Sequence, residues 1–402
     1  MSNNLITNFP REATLQDIAK SMQAIAFSQA ANLDNIPTWD KISGLSRNGY
    51  AEKIFTYGDQ FVEKWIDTAD SKEYEYPWRV NHFEKAELED GEMISGMFLQ
   101  AHYAHPFGVQ FSNARAFLRC PNGLSAGTYH LTLGDRLGDK DAQKDTVWQF
   151  TLTNDVPSGG CLAGFIQMPD STASSWKVIS YGADHIGKIE TVSVAAGSDG
   201  TDLGVMRLNT RNGDLNSMQE TAYGWNRWKT SALRQYLNSD KPKTKWWVPQ
   251  DDWDVAPEQL ATKDGFLCGM PEEMVKVLKK VKVVTYANTV NDSGEEDITY
   301  DRVFIPSLEQ MYITPQITGE GQAHEYWMRR SNSKTKLLQY ETYPNLIIYS
   351  VANHTSPQFV RLRSADRDNA DHTWLVGPSG YVSGYYGYSA WDASTFSPLV
   401  FI

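Results

Sequence analysis

Leu15, Ile18, Ala19, Met22, Ile25 and Ala26 recur at helical spacing within residues 11–33 and leave one apolar stripe on an otherwise polar segment. Such a stripe on a terminal helix needs a partner, either the next domain or a second copy of the chain. After the turn-like stretch NIPTWDKISGL the period changes. From about Arg47 to Asp155 the segments KIFTYGDQFVEKWID, KEYEYPWRVNHFE, GMFLQAHYAHPFGVQF, TYHLTLGD and VWQFTLT are short, aromatic or β-branched, and bounded by Gly, Asp, Asn or Pro. They read as strands, with no long helical period between them, and predict an all-β sandwich or barrel over residues 46–157.

VPSGG at 156–160 reads as a linker, and the texture beyond it is mixed. IETVSVAAG and GVMRLN predict strands. TAYGWNRWKTSALRQYLNS predicts a helix near residues 229–238, with Thr230 or Ser231 at its start and Asn238 at its end. PEEMVKVLKKVKVVTYAN places Pro271, Glu272 and Glu273 at a helical first turn and then runs into a strand. RVFIPSLEQMYI, LIIYSV and SPLVFI supply further strands and a short helix. The fold class expected is therefore α+β, in three parts: an N-terminal amphipathic helix and linker (1–45), the β domain (46–157), and an α+β domain (158–402).

Composition narrows the function. The net charge of −12 argues against nucleic-acid binding through phosphate neutralisation. Short acidic runs, ELEDGE and SGEEDITYD, read as solvated turns. Cys120, Cys161 and Cys268 are too few and too far apart for a disulfide framework or a CxxC metal site, so buried free thiols are expected. No basic n-region precedes an apolar run at the start, and no stretch approaches the ~18 apolar residues of a membrane span. His102 and His105, in AHYAHPF, lie on an apolar segment without acidic or Cys partners, which favours a structural role over metal ligation.

One omission stands apart. Lys, Glu, Gln and Met number 70 in residues 1–363, yet none occurs in the 39 residues from Ser364 to Ile402, where proportion gives about seven or eight. In the same tract SGYVSGYYGYSAWDASTFSP is crowded with Tyr, Ser and Gly.

The order of WNRWKTSALRQYLN, DRVFIPSLEQMY, NHTSPQFVRLRSA and the SPLVFI ending resembles a C-type-lectin-like domain of the bacterial and phage kind, whose broad architecture includes the formylglycine-generating enzyme. RLRSA followed by a Gly/Ser/Tyr-rich tract and a hydrophobic end resembles the variable proteins of diversity-generating retroelements. In that family a reverse transcriptase copies a template with errors at adenines, and the copy replaces the end of the target gene. Scrambling the first two positions of an AAY codon gives NNY, which encodes neither Lys, Glu, Gln, Met nor Trp. Tyr381–Phe396 obeys that rule except at Trp391, and Trp374 is a second exception in the wider segment.

The resemblance implies a non-catalytic ligand- or receptor-binding protein with a hypervariable tract at about 364–402. Large, stiff Tyr side chains with adaptable Ser, Gly and Asn suit recognition, as in antibody paratopes. Tyr381, Ser383, Tyr385, Tyr386, Tyr388, Trp391, Asp392, Thr395 and Phe396 are the expected contact surface. Asp366, Asp368, Asn369, Asp371 and His372 form the expected rim. Arg361, Arg363, Ser364 and Ala365 read as framework, with the arginines tying loops to carbonyls or carboxylates. Trp225, Trp228, Trp246 and Trp247 read as core, and Val382, Ala390, Pro398, Val400 and Ile402 as buried or strand-edge positions.

The implied setting is a phage virion protein, made in a bacterial cytoplasm, that binds a host cell-surface protein or glycan. Contacts to other virion proteins would run through the N-terminal region, in a homo-oligomer for which a trimer is expected. Two alternatives have weaker support. A formylglycine-generating-type enzyme would need an active-site cysteine pair, whereas only Cys268 lies beyond residue 161, and no Ser–His–Asp set or phosphate loop stands out. The other is a glycan-binding lectin without diversification: a Ca²⁺-dependent one would bring an EPN or QPD loop and a WND triplet, whereas the chain has Trp391-Asp392-Ala393 and neither loop, and a metal-independent one would stack sugars on the aromatic tract. No catalytic residue, cofactor or metal ligand is therefore expected, Ca²⁺ being the one ion the lectin alternative would add.

Overall fold

The computed structural model describes residues 38–112, 116–120, 122–133, 147–158, 160–164, 175–179, 189–206, 208–209, 220–221, 226–248, 256–289, 292–331, 333–337, 341–368, 372–384, 390 and 393–402. The amphipathic segment 11–33 lies outside them. Within 35–45, where a turn was expected, Thr38 instead caps helix α1 (Trp39–Arg47) by accepting from the Lys41 amide. Trp39, Ile42 and Leu45 are buried at the spacing that puts them on one face, a stripe too short for a period search to separate from a loop. A single turn, α2 (Ala51–Ile54), follows in place of the strand expected at KIFTY.

Three long antiparallel strands come next: β1 (Gln60–Asp67), β2 (Lys72–Glu87) and β3 (Met93–Ala101). They do not close into a separate sandwich. Strand β19 (Leu399–Phe401) pairs with β3, and β15 (Val303–Phe304) pairs with β19, giving the order β1-β2-β3-β19-β15. Gly96 is small because Phe401 lies across it; an added Cβ would sit 2.1 Å from that ring. Leu399, Val400, Phe401 and Ile402 are all fully buried, each such side chain contributing about 1.5–3 kcal/mol.

Between Ala116 and Thr221, nine strands form a second sheet: β4 (Ala116–Cys120), β5 (Gly127–Leu133), β6 (Val147–Leu152), β7 (Gly160–Gly164), β8 (Ser175–Ile179), β9 (Ile189–Ala196), β10 (Thr201–Met206), β11 (Leu208–Asn209) and β12 (Glu220–Thr221). Their order is β10-β5-β6-β9-β8-β7-β4-β12-β11. The expected boundary at 157/158 therefore falls inside one sheet, and Val156 of the expected linker pairs with Leu124. Residues 39–111 and 228–402 share one hydrophobic core, and 116–221 is an excursion from it. Alternating polarity marks a half-buried strand but not its partner, so it could not show that β3 waits for residues 300 positions further on.

Locally legible elements appear as expected. Ser231 caps helix α3 (Ala232–Leu237) and Asn238 ends it. Pro271 precedes helix α4 (Glu272–Val277), which leads into β13 (Val281–Tyr286), paired with β14 (Glu296–Asp301). Helix α5 (Glu325–Arg330) follows. LIIYSV, expected as a strand, makes only isolated bridges at Tyr349 and Ser350. Trp228 and Trp246 are buried and Trp247 packs partly against the core, while Trp225 lies outside the described residues. The whole is mixed α and β, mostly sheet with few helices. Among the described residues no helix is long and apolar enough to cross a membrane.

Candidate ligand-binding surface

Strand β16 (Val360–Ala365) is the base on which the tract hangs, with β17 (Thr373–Val376) and β18 (Val382–Ser383) beside it. Register sorts the side chains. Val360, Val376 and Val382 are cross-strand neighbours on one face and join Leu362, Leu308, Trp327 and Ile348 in a second apolar cluster. Arg361, Leu375 and Ser383 line the opposite face.

Both framework arginines are buried and engaged. Arg361 donates to Thr373 Oγ1 and, at 3.0 Å, to Ser394 Oγ, while its backbone N–H reaches Thr395 O at 2.9 Å. Arg363 donates to the carbonyls of Ile305 (2.8 Å) and Glu320 and to Gln310 Oε1. Ser364 Oγ donates to the Glu320 carboxylate and accepts from Leu308 N. Burial pushes the Glu320 carboxyl up, opposed by the Arg363 charge and the Ser364 hydrogen bond; burial likewise brings Arg363 down to about 10.

The rim loop is pinned at its base. Asn226, fully buried, donates to the carbonyls of Asp366 (3.0 Å) and His372 (2.8 Å), closing the two ends together. Arg367 O accepts from Thr289 N and Oγ1 at 2.8 and 2.7 Å. Asp366, expected on the rim, is itself only 8 % exposed. Its carboxylate accepts from Gln316 Nε2 (3.1 Å) and Asp368 N (3.2 Å), and burial raises its pKa in spite of them. It is thus part of the loop's internal support. Asp368 is exposed and His372 half-buried; Asn369 and Asp371 lie outside the described residues.

The expected contact positions divide in the same way. Tyr381, Ser383 and Thr395 are half-buried at the surface. The Tyr381 ring covers Gly377, where a Cβ would come within 2.3 Å of it, and meets Phe359 edge-on at 6.5 Å. Gly380 adopts φ +82° against Tyr343 O, a conformation and a contact that exclude a larger residue. Gly384 is backed by Trp374 and Asp366. Tyr385, Tyr386, Tyr388, Trp391 and Asp392 lie outside the described residues.

Phe396, expected at the contact surface, is fully buried: it stacks on His105 at 4.6 Å and meets Tyr236 and Phe266 at 6.4 Å. Its carbonyl accepts from His105 N, and Ser397 Oγ donates to Ala101 O, so the chain is already entering the five-stranded sheet at this point. Val382, Ala390, Pro398, Val400 and Ile402 are buried as expected. His105 is an aromatic-core residue, in keeping with its expected structural role.

Two other expectations change. SGEEDITYD is not simply a solvated turn, since Asp297 and Asp301 are buried. Arg227 binds Asp292 (3.1 Å), Glu295 (2.7 Å) and Asp297 (2.6 Å), and Arg234 binds Asp301 at 2.7 Å. Three carboxylates thus converge on a guanidinium. Cys268 is a free thiol, partly exposed rather than buried. Gln316 and the buried Asn226 support the surface from distant segments, and nothing in their spacing marked them.

Comparison with known families matches residues 204–392 to a domain of unknown function, DUF6273, a span that includes strand β16, the rim loop and most of the tract. Neither the curated proteins nor the solved structures contain a match to the chain.

Proposed function

We propose that the protein is a non-catalytic ligand-binding protein of C-type-lectin-like architecture whose surface between Asp368 and Thr395 is diversified by adenine-directed copying of a template. In this reading it attaches a phage to a bacterial cell surface. The observation that carries the proposal is the separation of support from contact. Support comes from buried groups conserving no freedom to vary: Arg361, Arg363, Asn226 and the glycines at 377, 380 and 384. The positions between them, Asp368, Tyr381, Ser383 and Thr395, reach the surface and belong to the stretch without Lys, Glu, Gln or Met. A wrong volume inside a core costs several kcal/mol, so only positions outside it can be drawn at random.

The direct test is to sequence the flanking DNA. A near-identical repeat of the 364–402 coding segment, differing at adenines and close to a reverse-transcriptase gene, is expected. A locus with neither repeat nor reverse transcriptase overturns diversification. Binding of the purified protein to intact cells of candidate hosts, lost on exchanging the tract but kept on exchanging other surface residues, tests attachment separately.

A further inference from the structure

Arg79 is 3 % exposed, and among the described residues it forms no ion pair with a carboxylate. Its nitrogens donate to neutral groups: Nε to Asn81 Oδ1 at 3.0 Å, Nη2 to Gln100 Oε1 at 3.3 Å, and Nη1 to His102 Nδ1 at 3.3 Å. Its guanidinium carbon lies 3.7 Å from the ring centre of Tyr326 and 4.8 Å from that of Trp327. Aromatic faces and amide oxygens solvate a cation but leave its full charge in place.

A second guanidinium and two imidazoles lie close to it. Arg330 shares the same ring, with its guanidinium 5.4 Å from the Tyr326 centre and a 3.0 Å hydrogen bond to the Tyr326 hydroxyl. His102 is half-buried and lies edge-on to the Tyr103 ring at 4.7 Å, and His354 stacks flat on that same ring at 4.1 Å. Gln60 Nε2 also approaches His102 Nδ1, at 3.4 Å. With two donors aimed at Nδ1, that nitrogen is the acceptor, and Nε2 carries the hydrogen of the neutral ring. Burial, and then Arg79, Arg330 and His354, bring His102 down to about 4. The one carboxylate on α5, Glu325, is held by Arg329 at 3.0 Å.

In a chain of net charge −12, this buried guanidinium is joined by a second arginine and the N–H of a neutral imidazole, and among the described residues no carboxylate pairs with it. We infer that Arg79, His102, Arg330 and His354 form a binding site for a phosphate- or sulfate-type oxyanion, with Gln60 at its edge, apart from the variable tract. Arg79 supplies field from below, since its N–H groups face Asn81, Gln100 and His102. Arg330 and the His102 Nε2–H supply the direct contacts from the exposed side. The same chemistry serves a free anion or a phosphate ester carried on a larger molecule.

Calorimetry on the whole protein, at constant ionic strength set with chloride, tests this with inorganic phosphate, sulfate and glycerol 3-phosphate as probes. One oxyanion is expected to bind per chain and to shift the His102 imidazole resonances. Arg330→Ala, at an exposed position that leaves the fold intact, is expected to weaken it by about tenfold through loss of one charge-assisted hydrogen bond. Arg79→Gln is expected to abolish it. Binding of glycerol 3-phosphate at least as tight as phosphate points to an esterified source, and phosphate alone to a free anion. Equal responses to oxyanion and chloride, or unchanged affinity in Arg330→Ala, overturn the site.

Discussion

Replacing Arg363 by Met keeps the length of the side chain and removes its charge and donors. Ile305 O then loses its donor, while Gln310 Oε1 and Glu320 O keep only the weaker hydrogen bonds from Ser307 N and Oγ. A buried acceptor left unmet costs about 1–3 kcal/mol, and the weakened pair adds less than that. The Glu320 carboxylate, 2 % exposed, also loses the positive charge that opposes its desolvation, and breaking a buried charge pair costs about 3–5 kcal/mol. The two routes overlap, and about 4 kcal/mol is the expected total, close to a thousandfold in the folding equilibrium. Urea unfolding followed by tryptophan fluorescence measures it. Adding Glu320→Gln is expected to recover about 1–2 kcal/mol, because the stranded charge is gone, and that coupling separates electrostatics from packing. A loss below about 1 kcal/mol, or additivity in the double variant, would refute the reading of Arg363 as the buried tie between strand β16 and the 305–320 segment.

Other consequences follow from buried groups elsewhere. His105 and His324 are held neutral by burial, whereas unfolded histidine takes a proton near pH 6.5; their contribution is complete above that pH and falls below it, by about 2 kcal/mol each at pH 5. Unfolding free energies from pH 7 to 5 should show this slope, and His105→Phe, which keeps the stack on Phe396, should flatten it; an unchanged slope contradicts it. Glu84 lines a cavity of about 220 Å³ between α1 and the β2–β3 hairpin, and burial raises it to about 7. Its neutral form favours the fold below about pH 4.5, a contribution lost as pH rises through 7, so Glu84→Gln should stabilise the protein at pH 8 by about 1–2 kcal/mol, allowing for solvent in the cavity. Arg227→Met should cost about 3–5 kcal/mol by stranding Asp292 and leaving Asp297 to Lys229 alone, and calorimetric melting checks it.

Local signals carried much of the fold. The Ser231 and Asn238 caps and the β-branched run of β13 are decided by neighbours in sequence, and both are found where the pattern put them, whereas RLRSA, read only as framework, turns out to be a strand. Pairing was not legible. That β3 meets β19, or that 116–221 forms its own sheet, depends on contacts whose partners lie far apart, and aromatic alternation is the same for either partner. At the surface, composition could single out the tract but not its facing. Phe396 and Tyr381 satisfy the same codon rule, yet one sits in the core because His105 N and Ala101 N capture the backbone beside it. Asp366 and the acidic run at 293–301 were misjudged for one reason: a carboxylate's exposure is set by whether an amide or guanidinium from another segment reaches it.

The central claim is that side chains in the tract change freely on a body stabilised elsewhere. Thermal melting of a pooled library randomised with NNY codons at residues 383, 385, 386, 388 and 395 measures it directly. Most members should melt within about 2 °C of the parent, the scale of surface substitutions, while their ligand preferences diverge. If most members lose cooperative melting or drop by ten degrees or more, those side chains are part of the core and the claim fails.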